Sequence, residues 1–471
     1  MGRLSVLTAD EVESIHLATL RVLSEVGIVL THAKARALLM GAGASGRDDR
    51  VLLPPDLVAQ SLEGCPRQVT IRGRACQPVM IGDGSLHWHN LGGAREVHDT
   101  LSDQRRPATV QDVRDSTRLL DALDSVSTIT PLFTPQDLPG PLVSLAMYRH
   151  ALPNTSKPLQ GPAVHTAHEV RYIARMAAVL GPPPDVLTLG ISPVSPLFFP
   201  DDVAEAIIET ADSGVPLGPL PCPIAGATSP MSLAGSLVQQ NAEILATVVL
   251  AQLVGPGLPI IYCGRLSIME PRTGISVSGG VEMGLASAAT VQIGHRYGLP
   301  VNVYGLSTNA HSADLQNGYE RALGAVVPAL SGADELSGIG EMAGGVASSY
   351  AQLVIDNEIA AGVSRVRRGL RVDDEALAVE VVRAAMDGPR HFLGQAHTVR
   401  YLRAGEVFLP RLAERRAWEE WNRAGRDHIV ERAEEEAQRL LAEHEPPPLA
   451  EEQERELDSI MAKACQELAG D

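Results

Sequence analysis

Aromatic side chains are scarce in this 471-residue chain, at 3%, so any that sit near a loop are candidate ligand contacts rather than routine core filling. Basic residues are also few: 39 Lys and Arg against 57 Asp and Glu give a net charge of -18, which excludes nucleic acid and other polyanions as natural partners. The five cysteines, Cys65, Cys76, Cys222, Cys263 and Cys465, are odd in number and lack C-x-x-C spacing. Neither a disulfide framework nor a zinc ribbon is indicated, and a reducing cytoplasm fits. No uncharged apolar run of about 18 residues marks a membrane span, and Met1 to Leu7 lacks a signal-peptide core. The expectation is a soluble, cytoplasmic protein with no membrane partner.

What is present is a regular alternation of apolar runs and helices. Thr8-Ala-Asp-Glu11 is a capping box, and Val12, Ile15, Leu20, Leu23 and Val26 follow at helical spacing until Gly27. Residues 28 to about 110 mix short helices with β-like pieces such as Gln68 to Arg72. From about 122 the candidate strands are Ser127–Leu132, Lys157–Ala163, Val186–Ser192, Pro216–Pro221, Pro259–Cys263, Pro300–Leu306, Glu335–Gly340 and His391–Gln395. Eight strands with intervening helices predict an α/β fold, a (β/α)8 TIM barrel. The predicted division is an N-terminal α+β extension over 1–121, the barrel over 122–409 and a C-terminal helical tail over 410–471, broken at Pro446 to Pro448 and packed by Trp418 and Trp421. Leu440, Leu441, Leu457 and Ile460 in that tail pack internally or against a second copy, so a homo-oligomer is one outcome.

Barrel enzymes carry their chemistry at the C-terminal ends of the strands. That rule selects Phe133, His165, Ser192, Ser195, Thr228, Ser229, Arg265, Asn309, His311, Glu341, Tyr350 and His397. His311 and Glu341 follow consecutive strands and are the catalytic candidates, the alternatives being a helix cap or surface residue for His311 and a loop-arginine partner for Glu341. Trp88, Phe133, Phe198, Phe199, Tyr304 and Tyr350 are the aromatic candidates, with two or three expected in a pocket and core packing as the alternative for each. Asn309 and His397 join Trp88, Phe133, Tyr304 and Tyr350 as substrate-binding candidates. Thr228 and Ser229, in a glycine-rich turn before a helix, are the candidates for cofactor or anion binding through backbone N–H groups, or else form a plain βα turn. His87-x-His89 with His98 lacks a cysteine or carboxylate at zinc spacing, so no bound metal is expected.

Three stretches carry a resemblance: Gly226 to Gly235, Gln252 to Tyr262, and Pro300 to Glu358 with its two glycine-rich turns. Together with Leu7 to Gly27 and His391 to Thr398, they resemble the trimethylamine methyltransferase family of corrinoid-dependent enzymes. The resemblance implies a barrel and methyl transfer from an amine to cobalt of a corrinoid (cobalamin) carried by a cognate corrinoid protein. Members that demethylate trimethylamine carry pyrrolysine in the second turn, where this chain has Ala343. Many relatives also read Asp-Ala-Lys where this chain has Asn309-Ala-His311. The missing pyrrolysine points to a quaternary amine, such as a betaine, as methyl donor, and the change at Asn309 and His311 means that substrate choice cannot be copied from the family there. The rival readings are a barrel enzyme with a folate acceptor or lyase chemistry, and a non-catalytic binder of a quaternary amine or corrinoid.

Overall fold

The computed structural model describes residues 3–161, 164–388 and 390–468. It is a mixed α/β structure in which short parallel strands alternate with helices. Helix α1 (Ala9–Arg21) starts on the expected capping box, Thr8 accepting from the Glu11 N–H while Glu11 accepts from that of Thr8. A π-helical stretch continues it to Gly27, whose φ of +77° ends it.

The strands that position the site are β1 (His87–Asn90), β2 (Leu159–Gly161), β3 (Leu187–Ile191), β4 (Leu217–Pro219), β5 (Tyr262–Gly264), β6 (Val301–Tyr304) and β7 (Glu335–Ile339). Strands β5, β6, β7 and β1 pair in that order, and β4, β3 and β2 pair in another sheet, all in parallel. Parallel bridges join the two sheets at both ends: Leu217 to Ile260, and His89 to Thr128 followed by Ile129 to Leu159. Strands, bridges and intervening helices together make a TIM-barrel-like α/β arrangement.

Two strand expectations are corrected. His391–Gln395 forms no strand, because Phe392 and Leu393 stand exposed in a turn with no neighbour to pair with. The place beside β7 is taken by β1, from the stretch expected to precede the barrel. Ser127–Leu132 contributes only its two bridges. The other expected strands are present but shorter; the end of the second one, Pro162 and Ala163, lies outside the described residues.

The helices that matter below are α2 (Leu233–Val254), α3 (Val281–Arg296), α4 (Leu315–Ser331), α5 (Tyr350–Arg368), α6 (Val379–Asp387), α7 (Ala396–Arg403), α8 (Ile429–Glu443) and α9 (Glu451–Leu468). By length and composition α2 could cross a membrane, at mean hydropathy 1.3, yet 78% of its most apolar window is buried inside the protein. It is a core helix. Its Glu243 is sealed there by Ser195 Oγ at 2.8 Å, the Leu197 N–H at 2.9 Å and Gln239 at 3.0 Å, and burial raises its pKa.

Helices α8 and α9 flank the Pro446 to Pro448 break as expected. Leu457 and Ile460 are buried and Leu440 and Leu441 pack against the core, so the tail is held by these residues. Trp418 is exposed and does not fasten it, while Trp421 is half-buried and donates its indole N–H to the Asp427 carbonyl.

Helices α4 and α5 are locked to the strands by the fully buried Arg321–Asp356 pair at 2.8 Å. Arg321 also donates to the Leu306 carbonyl at 2.7 Å, and Asp356 accepts from the Gly340 N–H at 2.6 Å, so the pair fixes the turns after β6 and β7. The register of β7 on β1 shifts between Leu336 and Ile339, a bulge centred on Gly338. Gly338 has φ +107°, and a Cβ there would sit 2.7 Å from the Leu306 carbonyl oxygen. Gly338→Ala is therefore expected to cost about 1–3 kcal/mol for the backbone conformation alone, before the clash is counted. Denaturant unfolding checks this, with an unchanged midpoint as the contrary result.

Candidate functional site

At the C-terminal ends of the parallel strands lies a cavity of about 250 Å³. Every barrel strand contributes to its wall, from His89 and Asn90 in β1 round to Tyr304 in β6 and Ser337 in β7, with Ser192, Cys222 and Arg265 from the segments just beyond β3, β4 and β5. Period-two alternation sends His89 and Asn302 inward, while Trp88 points out beneath α5.

The side-chain amide of Asn302 organises this wall. Its oxygen accepts from Arg265 Nη2, and its NH2 group donates to His89 Nε2 at 2.9 Å and to a Glu335 carboxylate oxygen. That assignment leaves His89 Nδ1 to donate to the Asn90 carbonyl at 2.9 Å, so the ring is neutral, and burial lowers its pKa accordingly. Glu335 is completely buried; Gln160 donates to it at 2.8 Å and the Thr128 hydroxyl lies at 3.0 Å.

Arg265 is 6% exposed and forms no ion pair with a carboxylate among the described residues. Carbonyl oxygens of Gly264 and Asn302 accept from Nη1 at 3.0 and 3.1 Å, and the guanidinium carbon lies 4.8 Å from the centre of the Tyr304 ring. Glu335 likewise has no ion-pair partner among the described residues. A buried guanidinium without a counter-ion is costly, so Arg265, held apart from Glu335 by one amide, marks a polar site rather than a structural ion pair. Cys222 and Cys263 also line the cavity; Cys263 is buried, and burial pushes its thiol up to about 12, which leaves it protonated and weakly nucleophilic at neutral pH.

Most residues singled out from the sequence lie elsewhere. His311 is exposed and accepts from Arg105 at 2.9 Å, whereas Glu341 is buried and accepts from Ser307 Oγ at 2.9 Å, and neither lines the cavity. Trp88 donates its indole N–H to Ser364 Oγ at 3.0 Å, outside the strands. Phe133 is buried against Tyr350 at 6.2 Å between ring centres, and the Tyr350 hydroxyl donates to Asp112 at 3.0 Å. Asn309 is spent on the Ser276 to Gly279 loop, and His397 stacks on Tyr401 in α7. The N–H groups of Ala227, Thr228 and Ser229 all donate to the Ile224 carbonyl, which spends the backbone donors of Thr228 and Ser229 inside the turn. Of the six aromatic candidates, Tyr304 alone lines the cavity.

The sequence matches the family model described as trimethylamine methyltransferase (MTTB) over residues 1–469. The chain belongs to the trimethylamine methyltransferase family. Among its relatives, the trimethylamine methyltransferase MttB of Desulfitobacterium hafniense is 29% identical over 96% of this chain and 92% of its own length. MttB2 of Methanosarcina mazei is 30% identical over 98% and 95%, and the glycine betaine methyltransferase of D. hafniense is 29% identical over 99% of both chains. The crystal structure of Methanosarcina barkeri monomethylamine methyltransferase superposes with a TM-score of 0.48 at 12% identity, covering 97% of this chain and 92% of that one. Membership of this family identifies the chain as a methyltransferase acting on methylated amines.

In this methyltransferase the turn after β7 is built from ordinary residues. Ala343 holds φ +51° and its N–H donates to the Ala310 carbonyl at 2.9 Å, tying it to the turn after β6. Sequence reasoning missed Asn302, Glu335, Gln160 and Thr128, although inward-facing polar residues inside apolar strands are their visible signal. His89 was weighed only as a metal ligand, and Arg265 only as one of many strand-end residues.

Glu341 is titratable in the neutral range: burial is the main cause that pushes it from 4.5 up to about 7, against the Ser307 hydrogen bond and the attraction of Arg321. Burial raises Asp356 to about 6 in the same way. Between its unfolded and folded values such an acid holds more protons folded than unfolded, so stability falls as pH rises through that window. Glu341→Gln is expected to shrink the loss of thermal stability between pH 4.5 and 7, leaving the part that Asp356 and Glu243 contribute. Parallel curves for the two proteins would contradict the assignment.

Proposed function

We propose that this protein takes a methyl group from a small quaternary-ammonium zwitterion, a betaine, and passes it to a corrinoid carried by a separate protein. The observation that supports a betaine is the buried, carboxylate-free Arg265 in the cavity wall. A substrate carboxylate on its guanidinium would supply the missing counter-ion, and the buried Glu335 behind Asn302 gives a quaternary nitrogen a favourable negative field. Tyr304 is the one aromatic face at hand, so electrostatics rather than an aromatic cage recognises the cation.

A quaternary nitrogen leaves with its electron pair without prior protonation. The protein is then asked to position the donor and exclude water, and it needs no acid at the reacting atom. The absence of pyrrolysine at Ala343 fits a donor of this kind better than trimethylamine. A cavity of about 250 Å³ suits a small amine and not a corrin ring, so the corrinoid would be presented at the mouth, around the C-terminal strand ends. When bound there it supplies the reduced cobalt nucleophile that accepts the methyl group. The reading takes the eight parallel segments as one closed (β/α)8 barrel, with an N-terminal addition and a helical tail, and sets the protein in the cytoplasm.

Incubation with glycine betaine, carnitine, proline betaine, choline and trimethylamine, each with a reduced corrinoid protein, tests this through loss of one methyl by NMR. Carboxylate-bearing donors are expected to react and choline and trimethylamine to react poorly. Arg265→Gln should weaken the betaine reaction about tenfold to a hundredfold, the equivalent of roughly 1.5–3 kcal/mol for hydrogen bonds to a charged group, mainly in KM. No demethylation of any donor, or an unaffected variant, would overturn the reading.

A further inference from the structure

Between α5 and the tail the chain makes a segment that does not bury itself. From residues 364 to 411, Ala385 is the one fully buried apolar residue among those described, although the segment holds α6 and α7. Thirteen large apolar side chains between Leu370 and Leu409 are exposed, Leu370 at 79% and Leu393 at 84%. In α6, Val379, Val382 and Met386 form a stripe at helical spacing that faces solvent, and Val399 and Leu402 do the same in α7. Helices this short do not hold together in water without a packed face, and soluble monomers rarely leave apolar patches of this extent open.

We infer that this arm is covered by the equivalent arm of a second copy of the chain. Two features select that occupant. The arm leaves from the C-terminal end of α5, where Arg367 donates to the carbonyls of Ala333 and Gly84, just ahead of β7 and β1. This is the N-terminal face of the strands, opposite the cavity mouth, so a partner that must reach the cavity has no use for it. The arm is also nearly neutral within an acidic chain: residues 370–409 hold five arginines against six acids, while the whole chain carries -18. Two such arms meet without the repulsion that opposes contact elsewhere on the two surfaces, and no oppositely charged partner is called for. The length of the arm exceeds the roughly 20–30 residues per side of a standard interface. The backbone N–H groups of Arg411, Leu412 and Ala413, held by Glu358, mark where the chain returns to its own core.

Sedimentation velocity of the full chain, without any other protein, tests the inference. The expected result is a dimer or a larger even assembly, which Leu370→Glu with Leu393→Glu converts to a monomer of half the mass or less. Both residues are exposed, so the circular dichroism of the variant should be kept, except for the small share that α6 and α7 supply. Amide exchange provides a second readout: α6 and α7 should be protected in the wild type and exchange at least tenfold faster in the variant. A monomeric wild type, an assembly that the double variant leaves intact, or protection that arises only when a corrinoid protein is added would each overturn the inference.

Discussion

The bond set of one side-chain amide governs the centre of this protein. Asn302 holds the Arg265 guanidinium on its oxygen and the Glu335 carboxylate on its nitrogen, with His89 on the remaining N–H. Direct contact would let the two charges neutralise each other as a buried salt bridge. The amide between them holds the two groups apart, buried and oriented, and leaves the guanidinium in the cavity wall. The parallel pairing supplies the rigidity this needs: β6 sets Asn302 opposite Glu335 on β7, and β1, on the other side of β7, carries His89 two residues beyond the partner of Glu335.

A second buried layer supports the same strand ends from behind. Arg321 and Asp356 join α4, α5 and the turns after β6 and β7, and Glu341 shares that environment through the attraction of Arg321. These groups do not face the cavity. They fix the turns after β6 and β7, the second of which is filled by Ala343 and its backbone hydrogen bonds.

Much of the fold was legible in the sequence because its helices are strongly marked. The α1 capping box, the long apolar α2 and the proline break in the tail stand where they were read, as do six of the strands. Strand β1 was not legible. His87-Trp-His-Asn looks like a polar loop because a strand lining a polar cavity turns its polar residues inward, reversing the usual pattern. The site was read from loops, where glycine and polar residues draw attention, but those loops spend their polar groups on themselves. Thr228, Asn309 and Glu341 each satisfy nearby backbone or hydroxyl groups. Among the residues singled out as binding groups, Tyr304 is the one that reaches the cavity; of its charged surroundings, Arg265 stands just beyond β5 and Glu335 lies within a strand that looked like ordinary core.

The most direct test of the central claim is a crystal structure of the protein with glycine betaine. The account predicts the carboxylate on the Arg265 guanidinium at hydrogen-bond distance, with the quaternary nitrogen inside the cavity on the Glu335 side. Betaine bound with its carboxylate away from Arg265, or bound outside this cavity, would contradict it.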